Sequence, residues 1–263
     1  MQYQHLIDAL GEDDFSTLQQ KTVSVIGLGG IGSCVAELLV RSGISVRVIE
    51  KDRVLEEDLD RLSLFEHKHI SKFKATEAKK ILNKINPEVM VKSFNEEITE
   101  QSLFLMDADL VLDCSGDHEL TPLISDYCFS KKIPCIAGGV RDNKCIVISS
   151  TAKESVLDQL EDLPFEKTEG LLPAMTRITS GFMYVRAVKQ LLGKDSSNGL
   201  LAYDLWSEEL VLSGSSNKKA TKKPAKKKSS AKPAGAKKKT PKAASSKKVV
   251  GSKKKSSAKK PKK

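Results

Sequence analysis

The chain has 263 residues with 44 basic and 34 acidic side chains, and its formal charge of +10 is unevenly placed. Residues 214–263 hold 21 lysines, no Asp, no Glu and no aromatic residue, which leaves residues 1–213 with 23 basic against 34 acidic groups and a net charge of −11. The terminal stretch has no apolar face to offset the entropy of ordering it, so it is expected to be a disordered tail (214–263) behind a single folded domain (1–213). Five cysteines at 34, 114, 128, 135 and 145 without a C-x-x-C pair argue against a disulfide framework and a structural zinc site. The absence of a basic n-region before an apolar core, and of any long charge-free apolar run, argues against a signal peptide and a membrane span. A cytoplasmic protein is expected.

In chain order, TVSVI at 22–26 reads as a strand, and residues 31–41 show helical apolar spacing at Ile31, Val35, Leu38 and Leu39. SVRVIE at 45–50 predicts a second strand, 75–85 a helix ended by Asn86-Pro87, 88–94 a third strand and ADLVLD at 108–113 a fourth. Further strands are expected at 133–137 and 144–149, with a helix at 119–130 between the fourth and fifth strands. A polar stretch at 151–172 is followed by a predicted helix near 177–192 and a hairpin within 200–213. Strands alternating with helices predict an α/β fold, a Rossmann-like and mostly parallel sheet with helices on both faces.

Gly27-Leu28-Gly29-Gly30-Ile31-Gly32 joins the first predicted strand to the first helix, so backbone amides and the positive helix end can face a phosphate. Glu50 ends the second strand 18 residues after Gly32, where a carboxylate can accept hydrogen bonds from ribose hydroxyls. A nucleotide ligand follows from this pairing, and up to this point a hydride-transferring dehydrogenase fits equally well.

The next residues, EKDRVLEEDLDRLSLFEHKHISKFKATEAKKILNKINPEV, separate the two. Glu50, Asp52, Arg61, Lys74 and Ile85-Asn86-Pro87 fall in a spacing that resembles the ThiF/MoeB/HesA superfamily, which includes the ubiquitin-activating enzymes. The resemblance continues through LVLDCSGD at 110–117, KIPCIAGG at 132–139, VKQLLG at 188–193 and LLAYD at 200–204. It implies an adenylyltransferase in which a substrate carboxylate attacks the α-phosphate of ATP and releases pyrophosphate. By that resemblance Gly27, Gly29, Gly30, Gly32, Glu50, Asp52 and Asp58 line the nucleotide site. Glu50 holds the ribose, Arg61 and Lys74 neutralise the phosphates, and Asp113 holds Mg2+. Read without the family, Asp113 could simply begin a turn, Lys74 could be one more exposed helical lysine, and Arg61 could pair with Asp58 or Glu57. An H-x-H at His67 and His69 reads as an ordinary solvated loop rather than a metal site.

The pattern departs from the family's in three places. Asp58 stands where the family's S-N-L-x-R segment has asparagine, Glu50 stands where aspartate is usual, and residues 1–20 contain no Lys or Arg to offer a partner subunit's nucleotide. The cysteines read as inert core residues, so adenylation without a stable enzyme thioester is expected. The resemblance implies a homodimer and, as substrate, the Gly-Gly carboxyl terminus of a ubiquitin-like sulfur-carrier protein. Two other readings stay open: a tRNA enzyme that cyclises threonylcarbamoyl-adenosine by the same adenylation, and a nucleotide-binding relative without turnover. The lysine-rich tail suits nonspecific contact with nucleic acid, although it has no aromatic residues to stack on bases.

Overall fold

The computed structural model describes residues 2–141, 143–150, 171–194 and 199–212. Two short helices come first, α1 (Gln4–Leu10) and α2 (Glu12–Gln19), where the sequence carried no assigned element. There follow β1 (Thr22–Ile26), α3 (Gly30–Arg41), β2 (Ser45–Ile49), α4 (Lys74–Ile85), β3 (Val91–Phe94) and β4 (Leu110–Asp113). The chain continues with α5 (Leu120–Lys131), β5 (Cys135–Arg141), β6 (Lys144–Ser150), α6 (Pro173–Leu191), β7 (Gly199–Asp204) and β8 (Leu210–Leu212). The last helix starts four residues before the expected 177, because Pro173 at its first turn has the fixed φ a helix start needs and no amide to waste. The third strand starts at Val91 rather than 88, since Asn86-Pro87 and the turn after it must first close. Most of the polar stretch at 151–172 and the whole of 214–263 lie outside the described residues.

Among the described residues, eight strands form one sheet in the order β3-β2-β1-β4-β5-β6-β7-β8. β1 to β5 run parallel, with Val23 opposite both Val46 and Leu110. β5 to β8 then pair antiparallel, so the expected hairpin forms with Ala202 opposite Val211. Alternation along the strands divides the core between two faces. Val23, Val25, Leu110 and Leu112 pack with Val35, Leu39, Ala78, Leu82, Met183 and Ala187 of α3, α4 and α6. Ile26 and Val111 pack on the opposite face with Ile124 and Cys128 of α5. No helix among the described residues is long and apolar enough to cross a membrane.

This order places the reversal of winding between β1 and β4, and the crevice outside the carboxyl ends of those two strands is where open α/β sheets bind ligands. The backbone there is crowded. Gly27 has φ +83° and a Cβ on it would lie 2.8 Å from the carbonyl oxygen of Cys114, just past β4. A Cβ on Gly32, in the first turn of α3, would run into the carbonyl oxygen of Gly27. Gly32→Ala is therefore expected to force α3 away from β1 and to cost about 1–3 kcal/mol or more in urea unfolding, with a matching loss of nucleotide affinity. Unchanged stability would show that the helix start is not held by this contact.

Candidate functional site

The glycine turn and the second strand are tied together by one carboxylate. Glu50 Oε2 accepts the Leu28 amide at 2.8 Å and its Oε1 accepts the Asp52 amide at 2.9 Å. The side chain thereby holds the turn against the end of β2 while facing an open cleft of about 600 Å³. That cleft is lined by Gly27, Glu50, Asp52, Glu96, Ser115 and Asp117 among others, at the β1/β4 reversal. Gly29 caps α3 in extended conformation and has nothing within 4 Å of where a Cβ would stand.

Arg61, Lys74 and Asp58 come together in a cluster of their own, and none of the three lines this cleft. Lys74 opens α4, its amide donating to the Asp52 carbonyl at 3.0 Å. Its Nζ lies 3.0 Å from Asp58 Oδ2, and Arg61 Nη2 lies 2.7 Å from Asp58 Oδ1. Arg61 Nη1 also donates to the Glu57 carbonyl at 2.8 Å, and the Arg61 carbonyl accepts from Arg177 of α6 at 3.2 Å. Lys74 is 7% exposed and Asp58 5%, so Lys74 is not a solvated helical lysine. The pairing of Arg61 with Asp58, left open in the sequence, is present.

Asp113 ends β4 at 2% exposure. Its Oδ1 accepts the Ser115 amide and hydroxyl at 3.0 and 2.6 Å, and its Oδ2 accepts the Thr121 hydroxyl at 2.6 Å. Burial pushes its carboxyl above the usual range, against the opposing pull of those hydrogen bonds. Asp113 does not line the cleft, whereas Asp117, four residues on, does. Asp117 Oδ1 accepts the amides of Glu119 and Leu120 at 2.9 and 3.3 Å, and its other oxygen has no hydrogen-bond partner among the described residues. The sequence reading passed over Asp117 although it closes the quoted LVLDCSGD; the signal was an acid just beyond the strand, in the loop rather than on its last residue.

The segment from Cys114 to Asp117 divides two clefts. On its far side lies a second one of about 500 Å³, lined by Gly30, Gly116, Gly138, Gly139, Cys114 and Thr176 among others. The cysteines nearby are poor nucleophiles: burial pushes the thiols of Cys114 and Cys145 up, and Cys135 is raised by its hydrogen bond with Cys128 and by burial. His69 accepts the Glu66 amide on Nδ1 at 2.9 Å and is buried, which makes it a capping group of its turn.

With this geometry in place, the relatives can be compared. The model of the ThiF family matches residues 2–228. The sulfur carrier protein ThiS adenylyltransferase of Bacillus subtilis (strain 168) is 27% identical over 219 residues, covering 78% of this chain and 65% of that enzyme. Ubiquitin-like modifier-activating enzyme 5 of Drosophila erecta is 27% identical over 225 residues, covering 74% of this chain and 56% of that enzyme. The chain thus spans between half and two thirds of the length of these relatives. The crystal structure of E. coli MccB with MccA-N7isoASN superposes with a TM-score of 0.72 at 17% identity, over 81% of this chain and 71% of that one. The match of the family model over most of its length, on a sheet that reverses beside a glycine turn braced by Glu50, makes this chain a member of the ThiF family.

Proposed function

We propose that the chain adenylates a carboxylate at the end of a narrow polypeptide, the Gly-Gly carboxyl terminus of a ubiquitin-like sulfur-carrier protein. A carboxylate oxygen attacks the α-phosphorus of ATP, the bond from that phosphorus to the bridging oxygen of the β-phosphate breaks, and pyrophosphate leaves with the electron pair. The observation that carries the reading is the pair of clefts meeting at the Cys114–Asp117 segment. One is rimmed by the glycine turn and Glu50, the other is walled by Gly30, Gly116, Gly138 and Gly139. Gly116, on the segment between them, leaves open the space a side chain would take, and ligands seated in the two clefts would meet there end to end. That the Bacillus relative is named for adenylating a sulfur carrier supports the same substrate class.

In this reading Glu50 faces the ribose while it braces the turn, and Arg61 and Lys74 face the phosphates. The metal role shifts from Asp113 to Asp117. Mg2+ prefers hard oxygen donors and keeps several of its waters, which suits a carboxylate with one uncommitted oxygen on the cleft wall. Asp113 has both oxygens committed and instead holds the loop that carries Asp117. Magnesium held at Asp117 would supply positive charge to neutralise the phosphates.

The test is magnesium-dependent ATP–pyrophosphate exchange by the full chain, with and without Gly-Gly-ended carriers and, because residues 214–263 bring 21 lysines, with threonylcarbamoyl-modified tRNA in parallel. Carrier-dependent exchange is expected. Exchange only with tRNA, or ATP binding without exchange under any condition, would remove the sulfur-carrier reading. Asp117→Ala is expected to lose about a hundredfold or more of the exchange rate with the fold intact, as removal of a metal ligand does.

Asp113 is expected to betray itself in stability instead. Its carboxyl is raised in the folded state, so the stability its proton brings is complete below the ordinary carboxylate range and is lost as pH rises through the raised value. Urea unfolding between about pH 4 and about pH 7 should show the unsubstituted chain losing ground to Asp113→Asn as pH rises. Parallel curves would mean that burial does not set this carboxyl's proton affinity.

A further inference from the structure

The nucleotide reading leaves one feature unused: the two cations assigned to the phosphates already hold an anion. Asp58 takes Arg61 Nη2 on one oxygen at 2.7 Å and Lys74 Nζ on the other at 3.0 Å, and Oδ2 also accepts the Leu55 amide at 3.3 Å. Two acceptor oxygens bridging a guanidinium and an ammonium is the arrangement two oxygens of a phosphate would make. Asp58 and Lys74 are buried, their side chains each 8% exposed, while the Arg61 side chain is 30% exposed. Its net charge is that of one cation rather than two. Asp60 Oδ1 draws on Arg61 Nη1 as well, at 3.1 Å.

We infer that Asp58 is a built-in competitor for the phosphate seat, shielding Arg61 and Lys74 until a polyphosphate displaces its carboxylate. The inference rests on the nucleotide reading above and adds to it a selection by charge. Adenosine has nothing with which to outbid a carboxylate, whereas a triphosphate brings several charges to the same two cations. Asp58 is also placed to move. It ends a single turn of 3-10 helix, Glu56–Asp58, whose other two residues and the preceding Leu55 are exposed. Asparagine would fill the same volume and keep the bond from the Leu55 amide, while removing the charge.

The full chain is titrated by calorimetry with ATP, inorganic tripolyphosphate and adenosine, unsubstituted and as Asp58→Asn and Asp58→Glu. Asp58→Asn is expected to bind ATP and tripolyphosphate at least about tenfold more tightly, the scale of one like-charge contact removed at ion-pair range. Adenosine affinity should stay the same, and Asp58→Glu, which keeps the charge, should bind tripolyphosphate as weakly as the unsubstituted chain. Unchanged or weaker tripolyphosphate binding by a folded Asp58→Asn would overturn the inference and make Asp58 a strut that sets the two cations. If the variant does not fold, the unsubstituted chain decides: the Asp58 carboxyl carbon resonance should move on addition of tripolyphosphate and stay still with adenosine. A resonance that ignores tripolyphosphate overturns the inference too. Failure of both ATP and adenosine to bind, with tripolyphosphate still tightened by Asp58→Asn, would sink the nucleotide reading and leave the competitor standing.

Discussion

The close approach of three backbone segments at the carboxyl end of β1 sets the geometry of everything that faces the cleft. Gly27, Gly32 and the Cys114 carbonyl stack without a side chain between them. That contact brings the amide end of α3 onto the reversal point of the sheet and puts the loop after β4 directly against the glycine turn. Glu50 then closes the arrangement from the other side, since its two oxygens accept amides from the turn and from the chain leaving β2. A carboxylate here satisfies backbone donors that would otherwise face the cleft unpaired, and it adds negative charge to the cleft wall.

Charge is the second constraint. The folded part of the chain is acidic, and the cleft wall adds Glu50, Asp52, Glu96, Glu97 and Asp117, with Lys51 already engaged by Glu97. A polyanion enters such a place only where cations are concentrated, and Arg61 and Lys74 form one such pair. Burial of Lys74 would be costly without a partner, and Asp58 supplies one. The same ion pairs that make a buried ammonium tolerable stand in the way of phosphate. In the family pattern resembled here, asparagine at this position leaves the cations their full charge. The substitution to aspartate trades resting stability of the cluster against affinity for the ligand.

Much of the scaffold could be read from the sequence because its signals are local. The TVSVI run, the glycines after it and the helical spacing at Ile31, Val35 and Leu39 each report on a few neighbouring residues, and the structure places them as expected. The final hairpin was legible for the same reason. Residues 4–19 were not, because their helices bury only Phe15 and Leu18 and so show little apolar periodicity. The extent of β5 to Arg141 was also missed: its last residues, including two glycines, are strand only because β6 pairs alongside. Of the residues the family spacing picked out, the structure brings Arg61, Lys74 and Asp58 into one cluster and puts Glu50 on the cleft wall. That spacing does not separate Asp113, which is buried, from Asp117, which lines the cleft, because the two differ in direction rather than in type. One points back under its own loop to Thr121, and the other caps α5 from the cleft side.

The motif residues that mark this family therefore divide by what they touch. Asn86 of the Ile85-Asn86-Pro87 segment is fully buried, and its side-chain amide donates to the Val40 carbonyl at 2.9 Å and to the Tyr3 hydroxyl at 2.5 Å. It fastens the end of α4 to the end of α3 and to the first residues of the chain, far from any nucleotide. Pro87 after it prevents α4 from running on, so β3 can start in register with β2. Asn86 thus fixes the far ends of the same two helices whose near ends carry the glycine turn and Lys74. A substitution there acts on the cleft through the tilt of α3 and α4, and not through any contact with a ligand. Sequence similarity weighs Asn86 and Arg61 alike as signature residues. Their hydrogen bonds separate them: Asn86 spends its amide on Val40 and Tyr3 and ties helices together, whereas Arg61 spends its guanidinium on the carboxylates of Asp58 and Asp60.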